Sequence, residues 1–158
     1  ALGGGMSSRL FQEIRERRGR AYSVYSFLSS YLDAGYMGVY VGTSSEWARE
    51  VVDVTLAEID RLKRDGLSAA ELVRARNQMK GNLLLGLETS DSRMSRLARN
   101  EIYYGRDVPV SEVTAGIDAV DNDAVVRVAA RLFRPGERAL TLLGNVQRTG
   151  IDPGMLDG

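Results

Sequence analysis

Two stretches with the composition of β-strands, residues 22–32 and 36–42, are separated by three residues. The first stretch is dense in Tyr, Val, Phe and Leu, and the second places Met37, Val39 and Val41 on one face. The connecting Asp-Ala-Gly sequence favours a tight turn. The chain is therefore predicted to contain a β-hairpin, and with it an antiparallel sheet.

Much of the remaining sequence has the periodicity of amphipathic helices, with apolar residues three and four positions apart. Glycines end two of these patterns, and a capping box formed by Ser68 and Glu71 starts another. The predicted helices are one from about Met6 to Arg18, one that follows the polar residues 43–45 and stops at Gly66, one from Ser68 through Leu87, one from about Ser92 to Tyr104, and two shorter ones capped by Ser111 and Asp121.

A last stretch, RALTLLGN at residues 138–145, predicts a third strand. The elements then follow in the order α-β-β-α-α-α-α-α-β, which indicates the α+β class with a largely antiparallel sheet packed against several helices. Three strands are few for six helices, so we expect the sheet to lack one or more strands from an upstream segment. Residues 1–146 are predicted to form one domain, and residues 147–158 a loosely ordered tail.

The composition excludes several classes of protein. The chain has 21 basic and 21 acidic residues, so it lacks the basic excess of proteins that bind nucleic acids or membrane surfaces. It contains no cysteine and no histidine, which removes disulfides, thiolate catalysis, the commonest general base and the commonest zinc ligand. The sequence shows neither a membrane span nor a signal peptide, and a cytoplasmic location is expected.

Two groups of residues are candidates for a functional site. The run Gly3-Gly4-Gly5 lacks the Lys-Ser/Thr of a phosphate loop and a preceding strand, which leaves a structural hinge or a ligand-facing loop as alternatives. Arg15 lies seven residues before Tyr22, so both side chains could point toward one spot. The alternative is that Arg15 belongs, like its charged neighbours, to a solvated helix face.

Five segments, taken in order, resemble the C-terminal half of the pitrilysin/insulinase-type zinc metallopeptidases, specifically their bacterial branch that is similar to the mitochondrial processing peptidases. The segments are LGGGMSSRLFQEIRERRGRAYSVYSF, DAGYMGVYVGTS, ELVRARNQMKGNLLLGLETSDSRMSRLARNEIYYGR, IDAVDNDAVVRVAARLF and RALTLLGNV. The resemblance covers residues 1–146 and implies the metallohydrolase fold of the processing peptidases.

The resemblance implies one half of a two-part enzyme. In the family the N-terminal half carries zinc in an inverted His-x-x-Glu-His motif with a distal Glu, whereas the C-terminal half holds no metal and closes over the substrate. For this chain it therefore implies no cofactor of its own, the zinc-binding half as partner, a peptide substrate, and assembly into a homo- or hetero-oligomer. The isolated chain is predicted to be inactive. The alternatives are a non-catalytic structural or partner subunit of the same family and a module that binds peptides at a sheet edge.

The resemblance also assigns roles to the candidate residues. Arg15 and Tyr22 match an arginine and a tyrosine that reach across to the active site of the other half, where both are suitable donors to a scissile carbonyl or its oxyanion. Gly3, Gly4 and Gly5 match a loop near which the substrate is handled, since glycine lets a peptide approach the backbone. The chain is thus expected to bind and close over the substrate of a zinc-dependent endopeptidase.

Overall fold

A β-hairpin and several helices make up the regular structure in the computed structural model, which describes residues 1–145, 147 and 149–156. In chain order the elements are a π-helix (Phe11–Arg17), strands β1 (Ser23–Ser30) and β2 (Gly35–Gly42), helices α1 (Ala48–Asp65), α2 (Ala69–Leu85), α3 (Ser90–Tyr104), α4 (Val110–Ala119) and α5 (Asn122–Leu132), and a 3₁₀-helix (Pro153–Leu156). This combination of helices with an antiparallel sheet confirms the predicted α+β class. By their internal contacts, residues 1–67 and 123–158 form one compact unit and residues 68–122 another.

The hairpin has the predicted location and pairing. β1 and β2 are antiparallel and in continuous register over the whole of both strands. The connection is closed by a hydrogen bond at its base, in which the Tyr31 N–H donates to the Ala34 carbonyl at 2.8 Å. The predicted stretches 22–32 and 36–42 therefore correspond to these two strands, with boundaries that differ by at most two residues.

One face of the hairpin carries four aromatic side chains that contact each other in pairs. Tyr25 stacks on Tyr40 across the strands with 5.1 Å between ring centres, and Phe27 meets Tyr36 edge to face at 6.0 Å. Such cross-strand pairs stabilise a sheet beyond the area that they bury. Gly38 lies opposite Phe27, and the absence of a β-carbon there leaves room for the Phe27 ring in its observed position.

The opposite face of the hairpin packs against helices. Val24 of β1 is buried, and the π-helix, which contacts both β1 and α1, contributes the fully buried Ile14. The buried residues of α1 are Ala48, Val51, Glu58, Ile59 and Leu62. The four apolar ones among them are three, eight and three residues apart, which places them on one face of the helix, as the helical periodicity predicts. Because Ile14 points into this core, the next residue, Arg15, is carried on the exposed side of the π-helix.

Gly3 contacts β1 on the edge that faces away from β2. The Ser26 N–H donates to the Gly3 carbonyl at 2.8 Å. A β-carbon on Gly3 would lie 2.6 Å from the Ser26 backbone nitrogen and 2.9 Å from the Ser26 β-carbon. Real β-carbons do not approach main-chain atoms this closely, so the backbone of residue 3 can only reach β1 because the side chain is absent.

Replacing Gly3 by alanine is expected to destabilise the protein. The added methyl group meets backbone rather than a flexible side chain, so the strand itself must move. We expect Gly3→Ala to cost about 1–3 kcal/mol, the usual range for overpacking, and to lower the melting temperature measured by circular dichroism. Gly4→Ala is the matched control, because nothing lies within 4 Å of its β-carbon position. Equal melting temperatures for the two variants would argue against the close packing of Gly3.

The predicted third strand is absent, and this prediction was wrong. Residues 138–145 belong to no strand, and the described part of the chain contains one sheet, formed by β1 and β2 alone. A segment with strand composition becomes a strand only when another strand supplies hydrogen-bonding partners, and composition does not reveal whether one is present. The side chain of Leu143 is accordingly fully exposed. The predicted domain boundary at residue 146, and residues 148, 157 and 158 of the predicted tail, lie outside the described residues.

The unit formed by residues 68–122 is helical throughout its regular structure. Its first helix, α2, begins with the predicted capping box, in which the Ser68 hydroxyl accepts from the Glu71 N–H at 3.3 Å. An ion pair of 2.7 Å between Lys80 and Asp118 joins α2 to α4. None of the helices in the described residues combines the length and the apolar character that a membrane crossing requires.

Candidate functional site

The two residues that the resemblance singles out, Arg15 and Tyr22, lie side by side. The guanidinium carbon of Arg15 is 5.8 Å from the centre of the Tyr22 ring and 5.1 Å from the centre of the Phe11 ring. The Tyr22 side chain is 87% exposed. Its hydroxyl group makes no hydrogen bond to any residue that the structure describes. Two hydrogen-bond donors are therefore presented together on one surface.

Gly19 allows the chain to bring these two side chains together. Its φ of 62° lies in the left-handed region, which favours glycine, and its N–H donates to the Arg15 carbonyl at 3.1 Å. This geometry ends the helix and redirects the chain toward Tyr22, whose N–H donates to the Gly42 carbonyl at 2.9 Å. Tyr22 is thus held at its backbone by the end of β2 while its ring remains exposed.

The helix that carries Arg15 is a π-helix, whereas the sequence predicted an ordinary amphipathic helix that starts at about Met6. In a π-helix the hydrogen bonds join residues five apart, and π-helical turns occur frequently at functional sites. Past the helix end the Arg20 N–H donates to the Ile14 carbonyl at 2.9 Å, a bond between residues six apart that, together with the Gly19 bond to Arg15, caps the helix around the left-handed glycine. The helix was predicted correctly in place, but not in type or starting point.

The arginines that neighbour Arg15 are each paired with a carboxylate, and Arg17 and Arg18 share one. The ion pairs join Arg17 to Glu13, Arg18 to Glu13 at 2.6 Å, and Arg20 to Glu50 at 3.0 Å. Arg15 forms no ion pair with any of the described residues, and its guanidinium lies instead over the aromatic rings of Phe11 and Tyr22. An anionic or strongly polarised ligand group would therefore meet an unneutralised cation at Arg15.

An open depression lies beside Tyr22. It is lined by two backbone segments, residues 19–22, which precede β1, and residues 42–44 at the end of β2. Several of the lining residues are small, Gly19, Ala21 and Gly42 among them. Small residues leave the protein backbone accessible at the place where Tyr22 emerges.

The glycine run contributes to this unit in different ways. Gly3 packs on β1, and the Gly5 carbonyl accepts from the Ser8 N–H at 3.0 Å. Gly4 is exposed, with open space at its β-carbon position. At least one of the three glycines thus has a packing role. A substrate-binding role of Gly3, Gly4 and Gly5 stays a prediction.

A third arginine, Arg20, occupies a position that the sequence did not single out. Its guanidinium lies 3.4 Å from the centre of the Trp47 ring, and its Nε donates to a carboxylate oxygen of Glu50 at 3.0 Å. Its carbonyl accepts from the Thr43 hydroxyl at 2.5 Å. The sequence placed Arg20 in a charged run, and no local pattern links it to partners 23 to 30 residues away.

The described residues offer no site for a metal ion. They contain no group of three or more His, Cys, Asp or Glu side chains close enough to coordinate one, and the sequence has neither histidine nor cysteine. Carboxylates alone are poor ligands for zinc. The residues of this chain therefore do not fit the zinc that the resemblance implies for the other half.

Comparison with known proteins decides the family. Residues 1–79, half of the chain, match the family described as the peptidase M16 inactive domain. The chain belongs to this family. An "uncharacterized zinc protease" of Bacillus subtilis is 42% identical to the M16 domain over 132 residues, which cover 84% of this chain and 32% of the relative. The beta subunit of the mouse mitochondrial-processing peptidase is 33% identical over 94% of this chain and 30% of its own length.

The fold of this M16 domain also occurs in solved structures. A protease from Helicobacter pylori superimposes with a TM-score of 0.72 at 21% identity, covering 84% of this chain and 32% of the protease. The structural likeness and the family match together confirm the predicted resemblance and fold class. The chain spans about a third of the length of the curated relatives that it matches.

Proposed function

We propose that this M16 inactive domain is the substrate-closing half of a zinc-dependent endopeptidase. It holds no metal itself and presents Arg15 and Tyr22 to a peptide whose scissile bond lies at the zinc of the other half. The observation that carries the proposal is the pair itself. Arg15 lacks a carboxylate partner among the described residues, unlike Arg17 and Arg18 beside it, and Tyr22 next to it is 87% exposed.

The chemistry of the two side chains suits this role. A guanidinium and a phenol both donate hydrogen bonds, and the guanidinium also carries a positive charge. Donors placed where negative charge develops on a carbonyl oxygen stabilise the transition state more than the ground state. The depression along residues 19–22 and 42–44 gives the peptide a path beside Tyr22. The two donors then polarise the carbonyl of the bond to be cleaved.

The partner in this proposal is the zinc-binding half, on the same polypeptide or in a separate subunit. The similarity of the chain to about a third of each relative supports this, because proteins named as zinc proteases extend well beyond the matched region. A homo- or hetero-oligomer is compatible with the same arrangement. The rival function is a non-catalytic structural or partner subunit, which predicts the same fold but no dependence of turnover on Arg15 and Tyr22.

The proposal is tested in the protein that carries this chain together with the zinc-binding half. We expect it to cleave fluorogenic peptides, to lose this activity to a zinc chelator, and to regain it with added zinc. The double variant Arg15→Ala/Tyr22→Phe is expected to keep its zinc content and its substrate affinity but to lose turnover. Arg17→Ala/Tyr31→Phe, which changes the same residue types elsewhere on the hairpin unit, is the control.

Two outcomes would overturn the proposal. A zinc-loaded protein that cleaves no member of a diverse peptide library would favour the structural subunit. Equal activity of the two double variants would remove Arg15 and Tyr22 from the reaction even if the protein is a peptidase. Zinc content measured by mass spectrometry separates both outcomes from simple loss of the metal.

A further inference from the structure

We propose that Arg20 is a positioning residue that fixes Tyr22 for its role at the substrate carbonyl. This inference rests on the function proposed above. It starts from the segment between the π-helix and β1, in which Gly19 and Ala21 have no large side chain to anchor the backbone. Arg20 is the residue of this segment whose side chain is attached to another element, since its guanidinium contacts Trp47 and Glu50.

Arg20 connects the segment to its surroundings through three different groups. The guanidinium face lies on Trp47, the guanidinium edge donates to Glu50, and the backbone carbonyl accepts from the Thr43 hydroxyl. We call Arg20, Thr43, Trp47 and Glu50 the Arg20 clamp. Trp47 and Glu50 belong to the start of α1, whose buried stripe is part of the core, so the clamp ties the segment to a rigid element.

The clamp also joins the two walls of the depression beside Tyr22. One wall consists of residues 19–22 and the other of residues 42–44. The Thr43 hydroxyl bonds to the Arg20 carbonyl across these walls, and the Tyr22 N–H bonds to the Gly42 carbonyl next to it. The direction in which Tyr22 emerges is therefore set from both sides, although its side chain touches only Arg15 among the contacts described above.

Only an arginine can make both side-chain contacts of the clamp at once. Its planar guanidinium stacks on an aromatic face while its edge donates to a carboxylate, whereas the ammonium of lysine is a point charge without a stacking face. Arg20→Lys therefore keeps a positive charge beside Glu50 and Trp47 but loses the stacked guanidinium plane that joins the two contacts. A leucine at position 20 loses both side-chain contacts but keeps the backbone hydrogen bond to Thr43.

The test is a double-mutant cycle in the protein that includes the zinc-binding half. We expect Arg20→Leu to lower kcat about 10-fold and to change KM by less than about two-fold. The displaced Tyr22 hydroxyl then stabilises the transition state less well, while substrate binding stays intact. Arg20→Lys is expected to recover part of this loss. In a Tyr22→Phe background, Arg20→Leu should lower kcat by less than about two-fold, since the hydroxyl group that it positions is already gone.

The cycle distinguishes the inference from a general loss of stability. If Arg20→Leu lowers kcat by the same factor with and without the Tyr22 hydroxyl, Arg20 does not act through Tyr22 and the inference is wrong. If Tyr22→Phe alone leaves kcat unchanged, the proposed role of Tyr22 fails, and the positioning role fails with it. Should Arg20→Leu not fold, Trp47→Leu and Glu50→Gln break the clamp from the other side and are expected to give the same non-additive pattern.

Discussion

Tyr22→Phe is expected to lower kcat and kcat/KM together by about 100-fold to 1000-fold, the loss typical of removing one donor from an oxyanion site. The substitution removes one oxygen atom and nothing else. Phenylalanine keeps the ring over which the Arg15 guanidinium lies at 5.8 Å, so Arg15 should stay in place. No described residue bonds to the hydroxyl group, so its removal leaves no internal partner unsatisfied. Stability should therefore be unchanged while turnover falls.

Tyr31→Phe is the matched control for this measurement. Tyr31 is 61% exposed at the turn of the same hairpin, so the control removes the hydroxyl of another exposed tyrosine from the same unit. We expect its kinetic constants to equal those of the parent protein. Steady-state kinetics over a range of peptide concentrations separate kcat from KM. A Tyr22→Phe variant with raised KM and unchanged kcat would show that the hydroxyl binds the ground state, contrary to the proposed role.

The hairpin and the start of α2 could be predicted because their causes are local, whereas the predicted cap Ser111 was wrong, since α4 begins at Val110 with Pro109 as its N-cap. Alternating apolar residues on both sides of Asp-Ala-Gly specify two strands and a turn, and the structure has both strands where the pattern put them. The capping box at Ser68 and Glu71 likewise closes through groups three residues apart. In such cases the interacting atoms are neighbours in sequence, so the sequence contains the whole interaction.

The prediction of a third strand was wrong for the opposite reason, because strand pairing depends on residues far apart in sequence. Residues 138–145 have strand composition, but a strand requires a partner strand, and none pairs with this segment among the described residues. The π-helical character of Phe11–Arg17 could not be predicted either. The apolar spacing of a helix predicts its position but does not distinguish hydrogen bonds between residues four apart from bonds between residues five apart.

The same distinction between local and long-range contacts applies to the candidate site. The seven-residue interval between Arg15 and Tyr22 spans one helix end and one turn, so their proximity could be predicted from spacing and the resemblance. Arg20 could not be found in this way, because its partners Trp47 and Glu50 lie on a helix that follows the whole hairpin. In sequence, Arg20 is indistinguishable from the solvated arginines beside it. Its partners, rather than its residue type, give it a distinct role.

Arg15→Ala is expected to lower kcat and kcat/KM by about 100-fold, with KM little changed, because it removes a charged donor from the developing oxyanion. Alanine also exposes no buried group, since Arg15 lies on the outer side of the π-helix and only rings contact its guanidinium. The melting temperature should therefore stay close to that of the parent protein. A variant with unchanged kcat would remove Arg15 from the reaction.

Arg17→Ala is the control that shows whether the loss of kcat is specific to Arg15. Arg17 lies two residues from Arg15 on the same helix, and its side chain is 68% exposed in an ion pair with Glu13. Exposed pairs of this kind contribute about 0–1 kcal/mol to stability, so the variant should fold like the parent protein. Because the Arg17 side chain is not part of the proposed site, we expect kcat and KM within about two-fold of the parent values. Both substitutions remove one positive charge, and any effect of net charge on substrate encounter is therefore the same in both. A 100-fold difference between them would then follow from their surroundings, since Arg17 is paired with a carboxylate and Arg15 lies beside Tyr22 without one.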